Sequence, residues 1–302
     1  MPTPPATDHI RDRARLLARL VEPFVGQVYF APECHRRYEA LGFNPSPNNA
    51  PPGGIAFPDG AAYFTSRGSC LGQAPGELVA AAFGVFSTSV VVPAVTYGWS
   101  LTDAATIADE RLAGAVEQLA RILGPKPEGI DRANELLARA AAPLDPWGRS
   151  LFAGVLSQGL PGDPLGDLFR LGDQLREYRG DSHIAAWVGA GFDAAEIGLL
   201  TELYWGMPGR TYVRTRAWSD AELDAAEARL EGAGLMADHQ LTDAGRARRE
   251  EIELMTDAAA QPSLEALGDD LAELAAIVGP WDKAIMDAGG YPPSPLAITR
   301  SD

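Results

Sequence analysis

Lysine is nearly absent from this chain: Lys126 and Lys283 are the only two in 302 residues. The 25 basic side chains face 41 acidic ones, for a net charge of −16. Non-specific affinity for DNA comes almost entirely from Lys and Arg neutralising phosphate, so this balance makes DNA an unexpected partner. Anionic membrane is disfavoured for the same reason. Cysteine is scarce too. Cys34 and Cys70 form no C-x-x-C pair and read as two free thiols of a reducing, cytoplasmic compartment. Histidines at 9, 35, 183 and 239 are too scattered to suggest a metal cluster. The stretch Leu78–Leu101 lacks charge and is long enough to raise the question of a membrane span. It contains Gly84, Pro93 and Gly98 and has no flanking Lys or Arg anchors, so it reads as a buried helix followed by a Val-rich extended piece. The N-terminus interleaves charges with apolar residues, which excludes a signal peptide and predicts a disordered tail over 1–12 before an amphipathic helix.

What remains is a 46% hydrophobic, ordinary globular composition. Helical periodicity dominates, over Ala14–Phe24, Ala104–Leu123, Ile130–Ala141, Leu165–Tyr178, Ala194–Trp205, Ala221–Leu230, Ala244–Met255 and Leu264–Val278. Gly124-Pro125 and Gly279-Pro280 read as helix stops, and Ser219 with Glu222 as a capping box; Thr242 caps the next helix. Strand signals are short: Val90–Val92, Thr211–Val213, and pieces around Leu235 and Gln240–Leu241. Residues 44–60, rich in Pro, Gly and Asn, predict a long surface loop.

Two segments echo each other. Tyr29–Phe43 resembles Tyr178–Phe192, and Glu77, Phe86, Trp99 and Ser100 match Glu196, Trp205, Trp218 and Ser219. Such matches arise either from an internal duplication or by chance in an alanine-rich helical chain. A duplication predicts a mainly α fold of two winged-helix-like halves, 13–145 and 146–290, related by a pseudo-twofold, with small β-hairpins and a tail over 291–302.

The stretch Trp218–Thr256 reads as helix, Gly-Leu turn, tiny hairpin and second helix. It resembles the recognition helix and wing of MarR-like winged-helix proteins. Its charges oppose that role: Asp220, Glu222, Asp224, Glu227 and Glu231 stand against a lone Arg229 between Ser219 and Gly234. MarR wings are long hairpins with Arg at the tip, whereas Leu235–Leu241 has neither Arg nor Lys. The discriminator is the state of the helix carboxylates: paired or buried acids reopen the DNA reading, and solvated ones close it. Arg210, Arg214 and Arg216 are its best support.

Other residues point to chemistry. His183, placed by Asp181 or Ser182 in the first turn of a helix, would be held neutral and suited to act as a base. Asp181 would orient it, Tyr29 or Arg179 would stabilise charge, and Glu33 would act as acid across the interface between halves. Glu33 and His183 could alternatively hold a divalent metal; no organic cofactor is expected. Phe30, Tyr63, Phe64, Phe83, Phe86, Tyr204 and Trp205 would line the pocket. Three motifs fail: Gly189–Ala194 lacks the strand and acidic residue of a dinucleotide site, Arg179-Gly180-Asp181 has no extracellular setting, and Ser69 and Ser87 lack a nucleophile elbow.

Tyr29-Phe-Ala-Pro-Glu33, Tyr63-Phe64, Arg67, Arg179-Gly180-Asp181-x-His183 and Leu241-Thr-Asp-Ala-Gly245 together resemble an actinobacterial group of helix-turn-helix or MarR-like proteins. The resemblance covers most of the chain and implies a cytosolic, largely helical protein while saying little about activity. The sequence therefore favours a small-molecule-binding protein, an enzyme of specialised metabolism using acid–base chemistry, monomeric or homodimeric and off DNA. The alternatives are a MarR-like ligand-responsive transcription regulator and a non-catalytic sequestering protein.

Overall fold

A computed structural model describes residues 8–48 and 54–292. The fold is mainly α, with one two-stranded sheet among the described residues. The helices are α1 (Asp8–Gly26), α2 (Pro32–Ala40), α3 (Gly60–Gly68), α4 (Gly76–Phe83), α5 (Thr88–Leu101), α6 (Ala104–Leu123) and α7 (Ile130–Ala141). Then follow α8 (Ser150–Ser157), α9 (Pro164–Gly189), α10 (Ala194–Tyr204), α11 (Asp220–Gly232), α12 (Asp243–Ala259), α13 (Gln261–Leu267) and α14 (Leu271–Asp287). Strands β1 (Met236–Ala237) and β2 (Gln240–Leu241) pair antiparallel, Met236 opposite Leu241.

The 26-residue α9 is the axis of the molecule, packed by α1, α6, α7, α8 and α12. It buries apolar residues such as Leu168 and Phe169 beside charged ones, so its apolar residues do not fall on a single stripe. The main core joins these helices to α13 and α14 through Phe24, Leu119, Leu136, Leu274 and Ile285. A second core lies under α10, α11 and the hairpin (Leu199, Leu200, Val213, Leu223, Leu230, Met236). A third joins α3, α4 and α5.

Several sequence expectations need correction. Val90–Val92 is helical, inside α5, because Ser87 caps that helix by accepting from Ser89 N and Val90 and Val91 pack in the third core. Thr211–Val213 runs into a 3-10 turn at Val213–Arg216 rather than a strand. Leu264–Val278 is broken at Gly268 (φ 54°) into α13 and α14, and Pro280 lies inside α14 instead of ending it. Residues 8–12 of the expected tail already belong to α1; 1–7 lie outside the described residues. At the other end Tyr291 donates to Glu22 (2.9 Å), while 293–302 lie outside the described residues. Of the 44–60 loop, 49–53 lie outside them; Asn48 accepts from Phe57 N (2.9 Å) and donates to Ile55 O (2.7 Å), pinning the loop's base. α3 then starts at Gly60, within the range read as loop, capped by Asp59.

The two echoing segments end alike. Phe43 N donates to Tyr38 O and Phe192 N to Trp187 O, each after a left-handed glycine, Gly42 or Gly191. The Trp-Ser pairs differ: Ser219 caps α11, whereas Trp99 and Ser100 lie within α5. Among the described residues no single helix is long and apolar enough to cross a membrane; α9 and α10 pass such a test only as a pair bent by 109°.

Candidate functional site

The surface unit α10–α11–hairpin–α12 is assembled by local chemistry. Asp193 and Glu196 form a capping box at α10, and Ser219 and Glu222 another at α11. Glu202, fully buried on α10, accepts from the backbone N–H groups of Arg210, Thr211 (3.1 Å) and Val213 (3.1 Å), so one carboxylate shapes the connection between the helices. The hairpin turns at Asp238 and His239, both with positive φ (50° and 60°), as a tight two-residue turn demands. Gly245 lets α12 start against it, since a Cβ there would sit 2.0 Å from Leu235 O.

Three of the five acids of α11 pair with arginine, Glu222 is held by its cap, and Glu231 is exposed. Arg214 meets Asp220 (2.6 Å); Arg210 meets Asp224 (2.7 Å) and Glu227 (2.7 Å); Glu222 is held by Ser219 N (2.9 Å). Arg229 turns back to Asp193 and to Glu196 (2.7 Å). Asp220, Asp224 and Arg214 remain exposed, so α11 presents a mixed-sign face. The unit docks on the N-terminal half: Ser87 N donates to Arg216 O (3.0 Å), Trp218 Nε1 to Val85 O (3.1 Å), and the Arg216 guanidinium lies 4.6 Å from the Phe86 ring centre.

The residues proposed from sequence for acid–base chemistry divide into separate places. His183 is not in a first helical turn: α9 runs unbroken through it, because Ser182 bonds back to Tyr178 O (2.7 Å) without interrupting the helix. Its Nδ1 faces Thr256 Oγ1 on α12 (3.0 Å), and burial pushes its pKa down to about 4 against the pull of Glu253. Arg179 pairs with Asp257 (2.8 Å) and Glu253 (3.2 Å) nearby. Asp181 points the other way and accepts from Phe152 N in the first turn of α8 (3.0 Å); burial raises it to about 6. Glu33 pairs with Arg121 on α6 (2.7 Å), beside an open groove of about 330 Å³ where Arg36 and Arg37 are matched by Glu110 and Glu117. Glu33 and His183 share no contact, and no group of three or more potential metal ligands occurs among the described residues.

The expected aromatic pocket is filled by its own rings. Tyr29, Tyr63, Phe64, Phe83 and Phe86 pack with centroids 5.0 to 6.4 Å apart. Phe30 stands against Tyr291 (5.6 Å), and Tyr204 against Trp205 (5.1 Å) on the far helix, where Tyr204 donates to Glu250.

A buried ionic network around α9 includes Tyr29 of the sequence-derived site but is otherwise built from residues outside it. Arg67 forks onto Glu177 (3.1 and 2.7 Å), and Arg111 onto Asp173 (2.9 and 3.4 Å). Arg176 joins Glu177 (3.0 Å) to Glu22 (3.0 Å), and Tyr29 accepts from Arg111 (3.4 Å) and Arg176 (3.3 Å). Burial works to raise the Glu177 carboxyl, but Arg67 and Arg176 outweigh it and hold it down to about 2. Arg67 enters the sequence reading only as part of a motif, and its partner Glu177 lies 110 residues away.

A family model described as a helix-turn-helix family matches residues 14–292. No curated protein and no solved structure matches the chain. The family match overturns two expectations from sequence: the preferred reading as an enzyme that stays off DNA, and DNA as an unexpected partner. Net charge misled because it does not locate charges, and here arginines sit beside the acids of α11.

Proposed function

This chain belongs to a helix-turn-helix family, and from that premise we propose that it is a DNA-binding regulator of winged-helix, MarR-like type, with α11 as reading helix and the β1–β2 hairpin as a short wing. The observation that carries the proposal is the pairing of three of α11's five acids, Asp220, Asp224 and Glu227, with Arg214 and Arg210. It relieves the repulsion that a bare acidic helix would meet in a groove. Arg214 is exposed at the N-terminal end of α11, where the helix dipole also favours phosphate. Arg246 is exposed in the first turn of α12, while Arg248 is held by Glu251 (2.7 Å) and Ala190 O (3.0 Å).

With so few cations free of carboxylates, affinity rests on a handful of phosphate contacts, and binding to random sequence is weak. Specificity then depends on pairing two such units, as when a twofold dimer meets two half-sites a helical turn apart. Selection of duplexes from a randomised pool on the immobilised protein at about 50 mM salt, where phosphate contacts are least screened, tests this. An enriched motif, repeated as an inverted half-site, is the expected result. A pool that stays random through successive rounds would refute the proposal.

A further inference from the structure

The ionic network on α9 leaves one positive charge over. Three guanidinium groups, Arg67, Arg111 and Arg170, border a small cavity between the C-terminal end of α3, α6, α8 and α9. Two carboxylates, Glu177 and Asp173, border it with them and are taken by Arg67 and Arg111. Arg170 is only 5% exposed and has no carboxylate within ion-pair distance among the described residues; its one hydrogen bond there is to the neutral Gln158 Oε1. The Nε–H groups of both Arg170 and Arg111 are buried and meet no acceptor. The hydroxyl and thiol donors lining the space are spent. Ser66 donates to Tyr63 O (3.3 Å), Ser69 to Ser66 O (2.7 Å) and Cys70 to Arg67 O (3.4 Å).

Leaving a buried charge unmatched is costly, and leaving its N–H groups unsatisfied adds to that cost. No nearby thiolate supplies the missing negative charge, since burial pushes Cys70 up to about 12. Burial lowers the Arg170 guanidinium as well, against the opposing pull of Asp173, which is the signature of a cation short of a counter-ion. The cavity's water-accessible volume is about 10 Å³, space for roughly one water-sized particle. That excludes a phosphate or an organic carboxylate in this arrangement.

We propose that this cavity is a binding site for a single small monovalent anion of chloride's size, held by Arg170 and Arg111 as the structural counter-ion of the α9 network. The site stands on geometry independent of the DNA-binding proposal, and neither depends on the other. Its role is to lock α6, α8 and α9 together.

Thermal unfolding of the full chain, with ionic strength held constant by exchanging gluconate for chloride or bromide, tests the proposal. The melting temperature is expected to rise saturably with the halide, as it does for any ligand that binds only the folded state. Arg170→Gln is expected to abolish that rise. A bromide-soaked crystal of the wild-type protein, which needs no variant, is expected to give an anomalous peak beside Arg170 and Arg111. An unchanged melting temperature with no bromide peak there, leaving only water in the cavity, would overturn the proposal. So would a halide response that survives in Arg170→Gln. Stronger stabilisation by sulfate than by chloride, lost in Arg170→Gln, would overturn the assignment to a chloride-sized ion.

Discussion

At the scale of single residues, burial rather than sequence motif decides the behaviour of the ionisable groups. Asp282 on α14 has a buried carboxyl oxygen without a partner, and burial alone raises its pKa from 3.8 to about 8. An acid whose folded pKa is raised contributes stability below its ordinary value and loses it as pH climbs through the raised one. Asp282→Asn, which cannot ionise, is therefore expected to melt above wild type, by a margin that widens from pH 5 to pH 9. Scanning fluorimetry at the two pH values checks this. His183 has the opposite sense. Its folded pKa lies below 6.5, so its contribution is complete above that pH and disappears as pH falls towards about 4. The melting temperature of wild type is expected to fall across that interval more steeply than that of His183→Gln. Local residue roles were legible from sequence: Ser219 and Thr242 cap their helices because a cap needs only its own next turn. Glu202, Asp173 and Arg170 were not, since their meaning comes from groups that only folding brings near.

At the scale of elements, periodicity located most helices, and α6 and α7 form with the expected bounds. It failed at α9, where the period ends at Tyr178 and His183 is expected to open a new helix, although the charged stretch 176–183 is continuous helix. Each of those charges reaches a partner on another helix, Arg176 to α1, Arg179 to α12 and Asp181 to α8, so polarity there reports buried networks and not a loop. It failed again at Val90–Val92, where a valine run was taken for a strand although tertiary packing kept it helical. The helix–hairpin–helix unit was read from its turn chemistry, but the pairing of its acids could not be. Arg210 and Arg214 sit in the preceding connection, and only the fold turns them towards Asp224 and Asp220. If α11 faces DNA, replacing both aspartates by asparagine removes repulsion and frees Arg214, while Arg210 stays on Glu227. The Asp220→Asn, Asp224→Asn double variant is expected to bind duplex several-fold more tightly at low salt, with a steeper salt dependence. Unaltered affinity in an anisotropy titration would place α11 away from the phosphates.

At the scale of the whole molecule, a net charge of −16 and a DNA-binding family are compatible because affinity depends on the charge of one face. The mainly α class was legible from composition and periodicity. The preferred function was not, because the aromatics and ionisable residues that suggested a catalytic pocket serve to fill the core and to join α9 to its neighbours. The measurement that bears most directly on the account is fluorescence anisotropy of the wild-type protein and Arg214→Ala with labelled duplex, titrated between about 50 and 200 mM salt, the range over which phosphate contacts are lost. The account predicts binding at the low end whose logarithm falls linearly with that of salt. Arg214→Ala should bind more weakly with a slope lower by about one, as expected when one phosphate contact is removed. No binding by wild type at about 50 mM salt, where such contacts are strongest, would contradict it; so would binding that Arg214→Ala leaves unchanged.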